Sequence, residues 1–457
     1  MHMRRFVDAA LVLALLISAS RAQAQALPAV TVHDLGTLGG SVGAALGINH
    51  AGHVVGYSMT AAGALHATLW KDGQIIDLCP ACGNTVTLAI AVNDSDVIVG
   101  VSAAASTRAF ASANGVLTLL APLTATDRFS VATGVNNSGQ IVGYVLRSDN
   151  TYVGVVWPSI SAAPYSTGLY TAQGINDLGV VAGGLRTACN GIHAASSVNG
   201  VPIDAEPAAD PCTVDNASSI NAAGVLAGVV TTPAGFRSAT WFQGARTLYD
   251  PLPGYAHSSA SDYGGINTFG EVSGSSQNLT TGGCMARGTV WAEGSTIPLP
   301  SPTPLNGCDE NYAFGINDRG QVVGYSLGAT ATRPVLWEID LDHEPPAIDV
   351  GVRGSASLQP PNGKMVPVVF EGSIVDDRSG VASASFTVVD EYGAIQPSGA
   401  ITLDGSGHFS VTVMLEARRN GNDLDGRTYT FVVTASDRKH NTASASASVV
   451  VAHDQRK

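Results

Sequence analysis

A ten-residue pattern that returns seven times constrains this chain more than any other feature of its sequence. It reads Gly-Ile-Asn-x-x-Gly, then apolar residues and a further Gly, as in GINHAGHVVG at 47–56 and GINDRGQVVG at 315–324. Units of 40 to 50 residues are typical of propellers and solenoids, in which each unit buries its apolar face against a neighbour. The seven marker asparagines are Asn49, Asn93, Asn136, Asn176, Asn221, Asn267 and Asn317.

Two further markers divide each unit into four short strands. In five units an apolar run ends in a tryptophan 20 to 24 residues after the marker asparagine, and a turn such as DGQIIDL at 72–78 leads into another apolar run. The Asn-x-x-Gly stretch predicts a hairpin loop in which Asn bonds nearby backbone and Gly takes a positive φ; only the second unit departs, with Asp96. Four short strands in about 40 residues make one propeller blade. Residues 27–339 are therefore predicted to form a seven-bladed β-propeller.

These markers also carry a family resemblance. GIN-x-x-G-x-V-V-G, together with H-A-x-L-W and D-L-G-T-L-G-G, resembles the bacterial extracellular HAF repeats over roughly residues 30–340. The histidine of the second motif is kept only in units one and four, as His66 and His193. The resemblance implies an exported, propeller-like protein and transfers no activity.

The order of the strands predicts how the ring closes and where its variable surface lies. The seventh unit lacks an outermost strand, and TVHDLG at 31–36 matches that strand, so we expect the N-terminal segment to complete the last blade. In an up-and-down blade the two short turns share one face of the ring. The other two connections, which vary in length between units, share the opposite face.

The N-terminal segment and the charge of the chain limit where the protein works and what it binds. Residues 1–26 read as a signal peptide, with Arg4 and Arg5 before an apolar run that is too short to span a bilayer, and no later segment reaches the necessary length. With 23 basic and 36 acidic residues, the chain lacks the basic stripe that nucleic acid binding requires. We expect an exported monomer, secreted or periplasmic, with no membrane span.

A second domain follows the repeats. Residues 340–347 are polar, acidic and proline-containing, as in a linker, and residues 348–457 hold about seven alternating runs that predict an immunoglobulin-like β-sandwich. Tyr429 stands where such folds carry a tyrosine corner. PPNGKMVPV at 360–368 and GRTYTFVVTASD at 426–437 are similar to an immunoglobulin-like module at the C-terminus of other bacterial secreted proteins.

Six cysteines in an exported chain favour disulfide bonds. They form three local pairs, and the second and third pairs stand at similar offsets from Asn176 and Asn267. A redox or metal role for the first pair remains the alternative, although the thioredoxin-like setting that a redox CxxC needs is missing. The predicted pairs are Cys79 with Cys82, Cys189 with Cys212 and Cys284 with Cys308.

Other motifs with chemical potential are weak. Ser41 in a G-x-S-x-G match is not followed by the helix that a nucleophile elbow needs. NGNDLDG at 420–426 resembles a calcium loop out of register, and Asp376, Asp377 and Asp437 would add oxygen ligands if the sandwich brought them together. No catalytic residue, metal site or cofactor is assigned, and calcium is the one ion that the residues leave open.

Two function classes remain. The first is a binding scaffold in surface interaction or adhesion, which holds an extracellular glycan or protein on the variable-loop face. The second is a propeller glycoside hydrolase or lyase acting on extracellular polysaccharide, which would need two suitably spaced carboxylates. Binding on variable loops held by a rigid frame points to a patch of four residues: Tyr152, Asp309, Glu310 and Tyr312.

Overall fold

The protein is an all-β chain in two units. The structure, a computed structural model, describes residues 27–104, 106–207, 209–278, 284–439 and 441–452, and the regular elements in these ranges are all strands. The predicted signal peptide lies outside the described residues. The chain divides into compact units at 1–339 and 340–457. No helix in the described part of the chain is long and apolar enough to cross a membrane.

The first unit holds seven antiparallel groups of four strands, here called sheets 1 to 7, in the order expected of the repeat. Sheets 1 and 7 are joined into one eight-stranded sheet by a parallel pairing of Val42 with Thr332. Sheets 1 to 3 comprise β2 (Gly39–Ile48), β3 (Val54–Thr60), β4 (Leu65–Lys71) and β5 (Gln74–Asp77); β6 (Val86–Val92), β7 (Ile98–Ala103), β8 (Thr107–Ala113) and β9 (Val116–Leu119); and β10 (Phe129–Val135), β11 (Ile141–Leu146), β12 (Tyr152–Trp157) and β13 (Tyr165–Ser166). Sheets 4 to 6 comprise β14 (Thr171–Ile175), β15 (Val181–Arg186), β16 (Ile192–Val198) and β17 (Val201–Asp204); β18 (Asn216–Ile220), β19 (Leu226–Thr232), β20 (Gly235–Phe242) and β21 (Ala245–Tyr249); and β22 (His257–Ala260), β23 (Val272–Gln277), β24 (Ala286–Ala292) and β25 (Ser295–Pro298).

Sheet 7 joins the two ends of the first unit. Three of its strands come from the seventh repeat: β26 (Asn311–Ile316), β27 (Gln321–Leu327) and β28 (Thr332–Ile339). The fourth is β1 (Val30–Asp34), which pairs antiparallel with β28 from Val30 opposite Ile339 to Asp34 opposite Val335. The N-terminal segment thus supplies the strand that the seventh repeat lacks, and the outer edge of β28 is covered.

The apolar core of the first unit lies between neighbouring sheets. One cluster joins Val99 and Ala109 of sheet 2 to Ile141 and Trp157 of sheet 3. Small residues are required where backbones approach: a Cβ atom on Gly143 would lie 2.0 Å from the carbonyl oxygen of Val131 on the adjacent strand. This close approach explains why each repeat ends its second strand motif with glycine.

Four of the five marker tryptophans tie their sheet to the one before it, and the Trp241 indole nitrogen is the exception. The indole of Trp157 donates to the Ala121 carbonyl (2.7 Å) in the loop that follows sheet 2, and Trp337 donates to Pro300 (2.7 Å) after sheet 6. Trp70 of sheet 1 donates to Gly36, which follows β1 of sheet 7. The same bond therefore recurs between the last sheet and the first.

The second unit has two antiparallel sheets around one core. The first sheet contains β29 (Ala347–Val352), β30 (Met365–Val375) and β33 (His408–Glu416), and the second contains β31 (Val381–Asp390), β32 (Ser398–Ala400), β34 (Arg427–Asp437) and β35 (Thr442–Val451). The rings of Phe370 and Phe431 stack across the core with centroids 4.2 Å apart. The buried Tyr429 donates its hydroxyl to the Glu416 carbonyl (3.0 Å), as a tyrosine corner does.

A buried ion pair sits beside that tyrosine. Arg427 donates Nε to one oxygen of Asp390 (2.9 Å) and a terminal nitrogen to the other (2.6 Å), and neither side chain is more than 7% exposed. The hydrogen bonds from Arg427 outweigh burial and lower the pKa of Asp390. The pair is therefore charged in the folded protein at neutral pH.

Candidate functional site

The seven marker asparagines form one hydrogen-bonded circuit. Each is buried, and each side-chain Nδ2 donates to the backbone carbonyl of the asparagine in the next repeat at 2.9 to 3.2 Å. The circuit is continuous because Asn317 donates to Asn49, 268 residues away. The Oδ1 atoms accept from the backbone within their own turns, as from Gln140 to Asn136 (2.9 Å). The predicted turn role is present, and the link between repeats is a second role that the motif did not reveal.

A polar cavity of about 380 Å³ opens over this circuit, on what we call the turn face. Its rim is the residue after each asparagine, and most of these residues bond to a neighbour on the rim, whereas Ala222 has no polar side chain. Asn137 donates Nδ2 to Asp94 (2.9 Å), and its backbone nitrogen donates to Asp177 (2.8 Å). Many polar groups of the turn face are thus already hydrogen-bonded within the protein.

The opposite edge of the sheets, the loop face, carries the disulfides. Cys189 bonds Cys212 and Cys284 bonds Cys308, and each bond links the two variable loops of one repeat. The third bond, between Cys79 and Cys82, closes a turn between β5 and β6. The three predicted pairs are therefore present, and they hold the loops where binding was expected.

The two surviving motif histidines also anchor loops on this face. The buried His66 bonds Asp77 through Nδ1 (2.8 Å) and the Gly83 carbonyl through Nε2 (2.8 Å). His193 makes the same pair of bonds with Asp204 (2.9 Å) and the Asp210 carbonyl (3.1 Å). Burial alone would lower each pKa, but the bonds to the carboxylate and carbonyl outweigh it and raise the pKa of both rings. These histidines fasten the loops that contain Cys82 and Cys212.

Half-buried aromatic side chains form two rows towards the loop face. The repeat-3 row runs Phe129, Tyr144, Tyr152 and Tyr170, with neighbouring centroids 5.4 to 6.4 Å apart. The repeat-7 row runs Tyr263, Phe314, Tyr325 and Tyr312, with centroids 5.0 to 5.8 Å apart. Aromatic rings with one polar end are suited to contacts that are partly apolar and partly wet.

The four predicted patch residues separate into two groups. Tyr152 belongs to the repeat-3 row and Tyr312 to the repeat-7 row. Asp309 pairs with Arg287 (2.9 Å), and Glu310 accepts from the backbone nitrogen of Met285 (3.1 Å). The two carboxylates hold the sixth repeat's loops in place, while the two tyrosines stand in the aromatic rows; their part in binding stays a prediction.

Asp262 is a candidate that the repeat pattern did not reveal. In sheet 6 the innermost strand breaks early: Ala260 lies seven residues before its marker asparagine, whereas the equivalent Ala132 lies four before Asn136. The extra residues form a bulge in which Ser261 accepts a hydrogen bond from Ser218 (2.6 Å) and the Tyr263 nitrogen donates to the Ser261 hydroxyl (3.0 Å). The longer spacing before Asn267 in the sixth repeat was the sequence signal that could have revealed this bulge.

The bulge lies at the centre of the first unit. Tyr263 packs with Tyr57, Phe314 and Tyr325 against Leu46 and Ile90 of sheets 1 and 2. It also lines a central cavity of about 140 Å³ whose wall includes innermost-strand residues from all seven repeats. Burial, and the charge of Asp262, raise the pKa of Tyr263 to about 12, so this phenol is neutral at neutral pH.

The Asp262 side chain stands exposed in this bulge, and the surrounding protein raises its pKa through burial. Burial is the main cause of the raised pKa of Tyr144 in sheet 3 and of Tyr263 in sheet 6, and the charge of Asp262 adds to both. Among the described residues no hydrogen bond or ion pair reaches this carboxylate.

In the second unit, the structure brings together two of the three aspartates considered for calcium. Asp376 and Asp437 lie with Asp342, their oxygens within 4.8 Å of one another, and Asp377 is not part of the group. These are the residues that could hold a divalent cation. Each also accepts backbone hydrogen bonds, such as that from Asn441 to Asp437 (2.8 Å). In the 420–426 loop, Asp423 instead accepts from the Tyr392 hydroxyl.

Comparisons with known proteins leave the family open. No family model matches the chain, and no curated protein matches it. A solved structure of a 1.5-MDa bacterial ice-binding adhesin, studied for its retention on the host cell surface, shares 16% identity over 70% of this chain and 93% of its own, with a TM-score of 0.20. A Ca2+-stabilized adhesin with which an Antarctic bacterium binds ice shares 15% identity over 94% of this chain and 100% of its own, also with a TM-score of 0.20. A TM-score this low does not establish a common fold.

Proposed function

We propose that the first unit is a closed seven-bladed β-propeller of the HAF-repeat type, which binds an extracellular glycan or protein through its loop face. The asparagine circuit and the pairing of β1 with β28 support closure. The three disulfide bonds are typical of proteins that work in an oxidising compartment outside the cytoplasm. The second unit, an immunoglobulin-like sandwich in this proposal, spaces or docks the propeller.

The observation that carries the binding role is the pair of aromatic rows on the disulfide-bonded face. A half-buried tyrosine offers a large rigid surface and a hydroxyl at low entropic cost. Loops that are already crosslinked lose less entropy when they meet a ligand. The described turn-face cavity is lined by neither tyrosines nor cysteines, and the Asn137 side chain on its rim is already bonded to Asp94 and Asp177.

The experiment is a glycan and protein array probed with the exported chain and its variants. Tyr152→Ala and Tyr312→Ala should each weaken binding by about 2 kcal/mol, roughly 30-fold in Kd, if the tyrosines are anchors. Tyr165→Ala is the matched control, because this tyrosine is 39% exposed on the outermost strand of sheet 3. Asn137→Ala tests the turn face.

Loss of binding in Asn137→Ala alone would overturn the choice of face. The alternative function, a glycoside hydrolase or lyase, is tested on the same array hits by mass spectrometry of the supernatant. Release of shortened product by the unmodified chain, and not by a variant that still binds, would favour the enzyme.

A further inference from the structure

We infer that the central cavity is a binding site for one uncharged sugar residue, the end of a glycan that the loop face holds. The inference deepens the proposed function, and rests on it, by naming the part of the ligand that enters the fold and the chemistry that selects it. It stands on three observations: a buried hydroxyl without a partner on the cavity wall, a lining that carries no charge, and an apolar floor.

The hydroxyl of Ser219 is the first observation. Ser219 is 3% exposed and lines the central cavity, and its Oγ atom makes no hydrogen bond within the described part of the chain. Nearby hydroxyls on the innermost strands do have partners: Thr133 donates to the Ala172 carbonyl (2.9 Å). Ser218 donates to the Ser261 carbonyl (2.6 Å). A buried hydroxyl without a partner is unfavourable, and a ligand in the cavity would supply that partner.

The repeat architecture does not need this hydroxyl. Ser219 stands two residues before its marker asparagine, where the other six repeats have glycine or alanine: Gly47, Ala91, Gly134, Gly174, Gly265 and Gly315. Neighbouring strands approach closely here, since a Cβ atom on Gly174 would lie 3.0 Å from the Cα atom of Ser219. The position therefore requires a small residue, and the serine oxygen adds a polar group that the packing does not use.

The lining of the cavity is the second observation. Its polar side chains are those of Thr133, Gln173, Ser219 and Tyr263, and among the described residues no charged side chain lines it. Neither the Gln173 amide nor the Tyr263 hydroxyl has a hydrogen-bond partner in the described part of the chain. Amides and hydroxyls both donate and accept hydrogen bonds, as sugar hydroxyls do. A charged ligand would enter without a counter-charge, so this wall selects an uncharged, hydroxyl-rich group.

The size and the floor of the cavity are the third observation. Its volume of about 140 Å³ is smaller than the roughly 300–1,000 Å³ of pockets that enclose whole ligands, so it suits one ring and not a chain. Six aliphatic residues line both this cavity and the turn-face cavity, and therefore stand between the two: Ile48, Val92, Val135, Ile175, Ile220 and Ile266. The asparagine circuit lies beyond this floor. A sugar residue thus reaches the cavity from the loop face, and its C–H groups rest on the apolar floor.

Tyr263 links the cavity to the repeat-7 row. It lines the cavity, and its ring packs against Phe314 (5.6 Å between centroids), which neighbours Tyr325 (5.8 Å). The terminal sugar therefore occupies the cavity while the following residues of the glycan meet the row of rings, which suits contacts that are partly apolar and partly wet. The bulge that carries Tyr263 is held by the bond from the Ile316 nitrogen to the Gly264 carbonyl (3.2 Å). A wall fixed in this way loses little entropy on binding.

The test is titration of the full exported chain with D-glucose, D-galactose and D-mannose, followed by saturation-transfer NMR and calorimetry. Each sugar is compared with its uronate and its amino sugar, which keep the ring and add a charge. We expect an uncharged sugar to bind and its charged counterparts to bind at least about tenfold more weakly, a factor that corresponds to about 1.4 kcal/mol.

Two serine variants give a matched comparison. Ser219→Ala should weaken sugar binding about tenfold and should not lower Tm, because it removes a buried hydroxyl that has no partner. Ser238→Ala is the control and should leave binding unchanged: Ser238 is fully buried in the same repeat and its Oγ atom also lacks a partner among the described residues, but it does not line the central cavity. Gln173→Leu, which keeps the bulk of the side chain and removes the amide, should weaken binding as well.

Three results would overturn the inference: no binding of any of the three uncharged sugars, equal binding of a sugar and its charged counterparts, or equal effects of Ser219→Ala and Ser238→Ala on binding. A lower Tm in Ser219→Ala would assign this hydroxyl a structural role and would also overturn the site. Each of these results leaves the proposed function standing if the array hits still depend on Tyr152 and Tyr312. Sugar binding that requires Ser219, combined with array binding that ignores both tyrosines, would uphold the site and refute the proposed loop-face anchors.

Discussion

Removing one asparagine from the circuit should destabilise the whole first unit. Asn136 is 3% exposed; its Nδ2 donates to the Asn176 carbonyl (3.1 Å) and its Oδ1 accepts from the Gln140 nitrogen (2.9 Å). In Asn136→Ala both partners lose their bonds. A buried polar group left without its partner costs about 1–3 kcal/mol. Because Gln140 is half-buried and water reaches it, we expect a total near 2–3 kcal/mol.

Tryptophan fluorescence during thermal unfolding is the assay. All five tryptophans lie in the first unit, so the signal is not mixed with unfolding of the second unit. Entropies of unfolding scale with chain length, and for a unit of this size each kcal/mol shifts Tm by roughly 2 °C. Asn136→Ala should therefore lower Tm by about 4–6 °C.

Two variants separate the circuit from the turn. Asn84→Ala replaces an exposed asparagine in a loop and should leave Tm unchanged. Gly139→Ala keeps the circuit and strains only the turn, where Gly139 has φ 82° with open space around it, at about 1–2 kcal/mol. If Asn136→Ala shifted Tm no more than Asn84→Ala, the circuit would contribute nothing to stability and the reasoning would be refuted.

Three further predictions follow from the same contacts. Deleting residues 27–34 removes β1, uncovers the edge of β28 and should cause aggregation, whereas deleting 27–29 alone should not. Gel filtration is the assay, and a soluble, monomeric 27–34 deletion variant would count against closure through β1. The pKa values of His66 and His193 are raised in the folded protein, so protonation of these rings stabilises the fold fully below about pH 6.5. This stabilisation should vanish as pH rises through the folded pKa, so Tm measured from about pH 5 to 9 should fall over that range. The double variant His66→Gln with His193→Gln should lack this fall in Tm. Asp390→Ala leaves the buried Arg427 without its carboxylate partner and should lower the free energy of unfolding of the second unit by about 3–5 kcal/mol. Circular dichroism in denaturant should show this loss while the tryptophan transition stays unchanged. The double variant Asp390→Leu with Arg427→Met should lose less stability, and equal losses in both variants would contradict the ion-pair account.

Much of the fold was readable because each repeat marker reports a local requirement. The turn glycine reports a left-handed φ, which Asp96 adopts in the second repeat at φ 58°. The glycine ending each second-strand motif reports a close backbone approach, and the cysteine offsets report equivalent loops. Each requirement is met within a single repeat or its following loop, with separations up to 24 residues, so spacing within the repeat exposes it.

Contacts between repeats could not be read in this way. The Nδ2 bond from Asn93 to Asn136 spans 43 residues, and the motif gives no sign of its direction. His53 of the first repeat pairs with Asp96 of the next repeat (2.6 Å), a contact that the motif does not show. Strand β12 begins at Tyr152 and β26 begins one residue before Tyr312, but the separation of the two tyrosines into two rows depends on ring geometry that a linear pattern does not contain.

The departures from the repeat carry the functional argument. The marker Asn, Gly, Trp and His residues already make hydrogen bonds or close contacts within and between sheets. A residue whose contacts are made inside the fold is not available to select a ligand. Asp262 and Tyr263 arise where the sixth repeat breaks its strand early, and there Tyr263 lines the central cavity. A scaffold made of seven equivalent units has no preferred direction around its axis. The irregular bulge of the sixth repeat supplies that asymmetry and places Tyr263 where it packs with rings from the first and seventh repeats.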